Sequence, residues 1–223
     1  MREALIALVI EFTNDRRGAR VVFGFTRDRE DFSSAMALAE QAEVCILCMG
    51  DSPDTSGENF DRVSLDLPGR QREFIRAVAA ACPRTVLVLQ SGRPVSVNWE
   101  QAHIPAILEA WFPGEEGGMA VAETLLGLNS PSGRLLITFP RHVGQIPCHY
   151  TRRPGGGRRY VEMDWLPLYP FGYGLSYTEF SFQSLTLSRD TIRAGKTIEA
   201  CFDVTNTGNA RDMLCRRFAS AIW

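Results

Sequence analysis

The chain has 223 residues, 45% hydrophobic and 22% charged, which is the composition of an ordinary globular protein with one or two domains and excludes collagen-like and disordered classes. Its 24 basic and 26 acidic residues are well mixed, and the net charge of -2 gives no footprint for nucleic acid or an anionic membrane surface. This charge balance predicts no nucleic-acid partner and a neutral or small polar ligand. No apolar run is long enough to span a bilayer, so we also expect no membrane span.

The first part of the chain alternates predicted helices and strands. We predict a helix that ends near Asn14, a strand in ARVVFGF, and a helix that begins near Asp31, whose carboxylate could cap DFSSAMALAEQA. A strand in EVCILCMG and a helix in GRQREFIRAVAAAC follow, on either side of a polar loop. In that helix the apolar positions keep helical spacing.

The alternation continues to about residue 150. Strands are predicted in TVLVLQSG, IPAILEAWF and RLLITFP, and a helix in GGMAVAETLLG. Strands that alternate with helices predict an α/β domain over residues 1–150, a mostly parallel open sheet with helices on both faces, which is an α/β/α sandwich. Such sheets bind ligands at the carboxyl ends of their strands.

The pattern changes after residue 150. Residues 151–178 contain the glycine- and arginine-rich TRRPGGGRRY and predict a linker and packing segment. In residues 179–223, FSFQSLTLS and KTIEACFDVTNTG alternate apolar and polar residues, as in an all-β sandwich. Two or three strands are too few to bury a sandwich core, so we expect this second domain to be truncated.

The six cysteines are scattered, and several lie in apolar runs, so we expect most of them to be buried and reduced. Cys45 and Cys48 form a CxxC in a predicted strand, where their side chains would point to opposite faces, which disfavours a redox or metal role. The histidines are too far apart to predict a metal site, and no phosphate-binding loop is present. We expect no cofactor.

Six ordered segments carry a resemblance to a known family: SGENFDRVSLDLPGRQREFI, LVLQSGRPVSV, AILEAWFPGEEGG, NSPSGRLLITFPRHVGQIP, LYPFGYGLSYTEF and FDVTNTG. Together they resemble the β-glucosidases of glycoside hydrolase family 3. The resemblance implies the family's C-terminal α/β sandwich, incomplete at its N-terminus, followed by a truncated fibronectin type III-like domain. It also implies a missing partner, the (β/α)8 barrel that carries the nucleophilic aspartate.

The resemblance places the family's catalytic acid/base on Glu58, in the SGE motif of the polar loop. Retaining glycoside hydrolysis uses two carboxyl groups, a nucleophile and a proton donor, so Glu58 would be the second of these. Gly57 would permit close backbone approach, and Ser56 could donate a hydrogen bond. Without the resemblance, a lone glutamate on a loop is more often a solvated surface residue.

Other polar residues of the same loop compete for a role. Asp61 and Arg62 are predicted to form a pair that holds the loop, and a contact with the sugar is the weaker alternative for both. Glu109, inside an apolar run, is predicted to be structural, held by a backbone amide or an arginine. Trp111 and Phe112 could stack on sugars, but their apolar surroundings favour core packing.

These observations predict a fragment of a retaining β-glucosidase that hydrolyses terminal non-reducing β-D-glucosyl residues of a β-glucoside or oligosaccharide. The fragment would supply the acid/base loop and would be inactive without the barrel. Two alternatives stay open: a non-catalytic carbohydrate-binding or interaction module, and a degenerate inactive fragment whose exposed strand edges favour aggregation.

Overall fold

A computed structural model describes residues 32–151 and 159–210, and the backbone of two further strands, β1 (Phe12–Asp15) and β2 (Gly18–Val21). These two strands form an antiparallel pair in which Asn14 lies opposite Ala19. The predicted helix that ends near Asn14 is therefore wrong at its C-terminal end. Aromatic and β-branched residues in the two short segments favour strands, and their antiparallel pairing outweighs the weak helical period.

The centre of the α/β part is a parallel sheet. Within the described residues it has three strands in the order β3 (Cys45–Gly50), β4 (Thr85–Gln90) and β5 (Ala106–Glu109). Cys45 lies beside Thr85, and Val86 lies beside Ala106. The predicted α/β class and all three of these strands are confirmed.

In the part of the chain that the structure describes, four helices connect or flank these strands: α1 (Ser33–Ala39), α2 (Gln71–Ala81), α3 (Asn98–His103) and α4 (Gly117–Leu125). Both α2 and α4 confirm their predictions, and α1 begins close to the predicted start. The predicted cap at Asp31 lies outside the described residues. Helix α3 was not predicted, because six residues are too few to show a helical period.

The hydrophobic core lies between the sheet and α2. Ile75 and Val78 point from one face of α2 towards Leu47, Leu87 and Leu89 of the strands, and all five side chains are buried. Burying a side chain of this kind contributes about 1.5–3 kcal/mol. This core holds the carboxyl ends of β3 and β4 in place, and the polar loop begins at that edge.

The strand predicted in RLLITFP is wrong. Residues 134–140 do not join the sheet; Phe139 forms an isolated antiparallel bridge with Tyr169. The amide of Leu135 donates to the carbonyl of Tyr173 (2.8 Å), so this segment runs beside residues 168–173. Leu136 and Ile137 are exposed, which shows that an apolar run alone does not determine sheet membership.

The C-terminal part has an antiparallel pair, β6 (Phe180–Leu187) and β7 (Ala200–Asn206), with an irregularity between Gln183 and Thr186. The small antiparallel sheet agrees with the predicted β region. Its fibronectin-like character, the truncation and the domain limits at 150 and 178 stay predictions. The last thirteen residues, 211–223, lie outside the described part of the chain.

The prediction that most cysteines are buried is wrong for the described part of the chain. Cys82 is buried, whereas Cys48 and Cys201 are exposed. Strand β3 is an edge strand of the described sheet and alternates its side chains, so Cys45 is half-buried on the core side while Cys48 faces outward. Within the described residues, no helix is both long and apolar enough to cross a bilayer.

Gly50 ends β3 directly before the polar loop, and its backbone conformation allows only glycine. Gly50 has φ of +144°, and a Cβ there would overlap the carbonyl of Gln90 on the neighbouring strand. Gln71, the first residue of α2, joins the two ends of the loop: its amide donates to the carbonyl of Gly50 and accepts from its N–H, both at 2.8 Å.

The change Gly50→Ala is expected to lower the free energy of unfolding by about 3 kcal/mol or more, because it adds a backbone overlap to an unfavourable φ. Gly133→Ala is the matched control, since a Cβ at Gly133 meets open space. Urea unfolding followed by circular dichroism measures both. Equal effects of the two changes would contradict this account of Gly50.

Candidate active site

The candidate site is the polar loop 51–69, which leaves the carboxyl end of β3. Open α/β sheets bind their ligands outside the carboxyl ends of the strands. The loop is anchored to the body of the domain at both ends and carries Glu58 near its middle.

The first anchor is the carboxylate of Asp51, whose side chain is wholly buried. Oδ1 lies 3.2 Å from Nη1 of Arg62, and Oδ2 lies 3.9 Å from Nε of Arg93. The hydroxyl of Thr55 and the backbone N–H of Gly92 also donate to this carboxylate, at 3.3 and 3.4 Å. One buried charge thereby connects β3, the loop and the turn after β4.

The second anchor lies at the far end of the loop. Arg72 of α2 contacts Asp66 at 2.7 Å and the buried Glu100 of α3 at 3.8 Å. The amide of Ser96 donates to the carbonyl of Leu65 at 2.8 Å. These contacts hold the end of the loop against α2 and α3, so movement of the loop is restricted at both ends.

Glu58 itself lies in a tight turn that projects from the anchored loop. The amide of Phe60 donates to the carbonyl of Gly57 at 3.2 Å, and a Cβ on Gly57 would lie only 3.2 Å from the Phe60 ring. Asn59 has φ of +65°, a conformation that asparagine tolerates better than most residues. The turn leaves Glu58 exposed to solvent.

The structure replaces the predicted Asp61–Arg62 pair. Arg62 instead contacts Asp51 and donates to the carbonyl of Asp66 at 2.6 Å, whereas Asp61 is exposed and forms no ion pair within the described residues. A buried carboxylate offers an arginine a stronger partner than an exposed neighbour does. Arg62 therefore does hold the loop, through a different partner.

The carboxyl group of Glu109 ends β5 at the same edge of the sheet. Its Oε1 accepts from the backbone N–H of Trp111 (3.0 Å) and from the hydroxyl of Ser91 (3.3 Å), which agrees with a structural role held by a backbone amide. Burial raises the pKa of Glu109 to about 7; the two hydrogen bonds oppose this shift, and the charge of Asp51 adds to it.

The two aromatic residues after Glu109 differ in their surroundings. Trp111 packs edge-on against the buried Phe139, with ring centroids 5.8 Å apart, as core packing requires. Phe112 is exposed and lies over Gly92, contrary to the core position predicted for it. The backbone causes this separation, because Trp111 adopts φ of +53° and turns the chain sharply at this point.

Sequence reasoning missed four charged residues that build the site, namely Asp51, Arg72, Arg93 and Glu100. Asp51 carries a usable signal, since it follows a buried strand directly at the ligand-binding edge. Arg72, Arg93 and Glu100 carry none, because the Arg72–Glu100 and Arg93–Asp51 pairs join residues that are distant in sequence. Within the described residues, no three histidine, cysteine or acidic side chains are grouped so that they could hold a metal ion.

Residues 4–177 match the family model for the glycosyl hydrolase family 3 C-terminal domain. The chain belongs to glycosyl hydrolase family 3. It is 41% identical to a β-xylosidase of Formosa agariphila over 184 residues, which are 81% of this chain and 25% of that protein. It is 43% identical to a periplasmic β-glucosidase of Salmonella typhimurium over 185 residues, 78% of this chain and 24% of the relative.

Solved structures of β-glucosidases share the fold. A β-glucosidase from Erythrobacter marinus matches 79% of this chain and 24% of its own, with a TM-score of 0.75 and 40% identity. The glucose complex of a Listeria innocua β-glucosidase matches 82% of this chain and 32% of its own, with a TM-score of 0.67 and 26% identity. The chain thus spans about a quarter of the length of the curated relatives above.

Removing the buried carboxylate by Asp51→Ala is expected to lower the free energy of unfolding by about 3–5 kcal/mol, because two arginines lose their partner. Glu73→Ala is the control, since the Glu73–Arg70 pair is more than half exposed and its loss should cost less than about 1 kcal/mol. Urea unfolding measures both variants. A small change in the free energy of unfolding for Asp51→Ala would show that this carboxylate does not anchor the loop.

The raised pKa of Glu109 has a consequence for stability. Between pH 4.5 and 7 its carboxyl group is protonated in the folded chain and ionised in the unfolded one, so its contribution to stability is complete below pH 4.5 and is lost as the pH rises through 7. The shift from 4.5 to about 7 corresponds to up to about 3 kcal/mol. Glu109→Gln should remove this part of the pH dependence.

Thermal unfolding of Glu109→Gln and the wild type between pH 5 and 8 tests this expectation. The melting temperature of the variant should rise relative to wild type as the pH increases. The exposed Glu162→Gln should follow the wild type at every pH. Parallel profiles for Glu109→Gln and the wild type would show that the Glu109 carboxyl does not titrate differently on folding.

Proposed function

We propose that this chain supplies the general acid/base, Glu58, for the retaining hydrolysis of terminal non-reducing β-D-glucosyl residues. The nucleophile would come from a (β/α)8 barrel outside these 223 residues. The observation that carries this proposal is the presentation of Glu58, an exposed carboxylate on a turn of a loop held at both ends, within the part of the chain that matches the family model.

The geometry suits the chemistry of an acid/base. In a retaining hydrolase the acid first protonates the leaving oxygen and then, as a base, takes a proton from the water that releases the sugar. Its carboxyl group must stand about 5–5.5 Å from the nucleophile. An exposed carboxylate that projects from the sheet edge on anchored backbone can approach a second domain. A carboxylate that is buried in an ion pair within its own domain cannot.

The other acidic residues of the loop support the choice of Glu58 by their surroundings. Asp51 is buried between two arginines, and Asp66 is paired with Arg72, so both are engaged in holding the loop. Asp54 and Asp61 are exposed, but neither lies in the SGE motif that the resemblance identifies. Asp61 and Arg62 remain proposed as sugar contacts, although Arg62 is already paired with Asp51.

The test uses the 223-residue chain together with the separately expressed barrel of a family relative, because we propose that the chain alone does not turn over substrate. Glu58→Ala should lower kcat/KM about 10²- to 10⁴-fold for β-glucosides with poor leaving groups. It should lower kcat/KM much less for dinitrophenyl β-glucoside, whose leaving group needs no proton. Asp54→Asn, an exposed carboxylate in the same loop, is the matched control.

Three results would contradict the proposal. The first is equal loss on activated and unactivated substrates, and the second is robust turnover by the chain without the barrel. The third is no activity in any well-folded combination, which would favour a non-catalytic sugar-binding module. Aryl β-xylosides belong in the same assay because the relatives' names include both a β-xylosidase and a β-glucosidase.

A further inference from the structure

A second arginine, Arg93, spans the turn that carries Glu58. It lies in the turn after β4, and its side chain reaches across to the loop. Nη2 donates to the carbonyl of Thr55 at 3.4 Å and to the carbonyl of Phe60 at 3.2 Å. These two residues stand three positions before and two positions after Glu58. One guanidinium therefore holds both sides of the turn.

Arg93 is itself held from two directions. Its Nε lies 3.9 Å from the buried carboxylate of Asp51, which fixes the position of the charge. Its own carbonyl accepts from the hydroxyl of Ser91 at 2.9 Å, which fixes the backbone of the turn after β4. Because Ser91 and Asp51 belong to the sheet edge, the position of the guanidinium depends on the rigid part of the domain.

Gly92 gives a second and independent observation. A Cβ on Gly92 would lie 2.7 Å from the hydroxyl oxygen of Ser56 and 2.8 Å from the ring of Phe112. The loop and the segment after β5 therefore both rest directly on the turn that carries Arg93. The contact is direct because glycine leaves room for it, so the turn after β4 supports the Glu58 turn by packing as well as by hydrogen bonds.

We infer that Arg93 is a positioning residue that fixes the place of the Glu58 carboxylate by holding the Thr55 and Phe60 carbonyls against the sheet. This inference rests on the proposed function, because it gives Glu58 the acid/base role. Arginine suits the task, since its planar fork can reach two carbonyls and a carboxylate at once, whereas lysine offers a single nitrogen.

Loss of Arg93 is expected to slow catalysis because it would displace the Glu58 carboxyl group. A displacement of about 1 Å in a catalytic group can cost about 100-fold in rate. Loss of Arg93 leaves the covalent structure of Glu58 unchanged but frees its turn. We expect Arg93→Gln to lower kcat/KM about 10- to 100-fold for substrates with poor leaving groups, and less for activated ones, which is the pattern of a misplaced acid.

The first experiment measures the amide protection of the turn in the 223-residue chain alone, so it does not depend on enzymatic activity. Hydrogen exchange followed by mass spectrometry reports the amides of residues 52–60, where Thr55 and Ser56 donate to the carbonyl of Ser52. In Arg93→Gln these amides should exchange at least about tenfold faster, while peptides from β4 stay protected. Arg93→Lys, which keeps the charge beside Asp51, should be intermediate and covers the case in which Arg93→Gln does not fold.

The matched control is Arg70→Gln, which removes an exposed arginine that pairs with Glu73 and lies outside the turn. It should leave exchange in residues 52–60 unchanged. Wild-type exchange rates in both Arg93 variants would overturn the inference, because the turn would then keep its order without the guanidinium.

The second experiment is a double-mutant cycle in the barrel-complemented assay. If Arg93 acts through Glu58, adding Arg93→Gln to Glu58→Ala should cost less than about threefold, although it costs at least tenfold on its own. Full additivity would overturn the inference, because Arg93 would then act through general stability. Absence of the leaving-group pattern in Glu58→Ala would instead overturn the proposed function, and the two failures can therefore be told apart.

Discussion

The carboxylate of Asp51 is the interaction on which the site depends. A buried charge is costly unless it is paired and hydrogen-bonded, and the chain meets this requirement with two arginines, a hydroxyl and a backbone amide. These partners come from the loop and from the turn after β4. Satisfying one charge thus ties the loop after β3 to the turn after β4, at the sheet edge that the core holds in place.

The loop is firm at its ends and open at its middle. Gln71 joins its two ends at the sheet edge, Arg72 ties its far end to α2 and α3, and Arg93 spans the turn between them. Glu58 stays exposed on this support. In the proposed assembly this domain would contribute the position of Glu58, and the barrel would contribute the nucleophile.

Two carboxyl groups at the same sheet edge have very different partners. Asp51 faces two guanidinium groups, whereas within the described residues Glu109 accepts from a backbone amide and a serine hydroxyl. Neutral donors offset burial less than an arginine does, so burial dominates at Glu109 and raises its pKa. The edge therefore combines a charged anchor for the loop with a second acid whose state changes near neutral pH.

Local patterns were sufficient for much of this protein. The apolar runs of β3 and β4 and the helical period of α2 indicate the α/β class from the sequence alone. The six ordered segments indicate the family, and the SGE motif indicates the candidate acid/base. Each strand, helix or motif is a local pattern, so neighbours along the chain carry it.

Tertiary structure decided the remainder. It placed residues 134–140 beside residues 168–173 instead of in the sheet, paired Asn14 with Ala19 across a strand pair, and gave Arg62 a buried partner. It also brought Arg93 to a turn more than thirty residues away along the chain. Which strand accepts a segment, and which carboxylate receives an arginine, depends on groups that meet only after the core has closed.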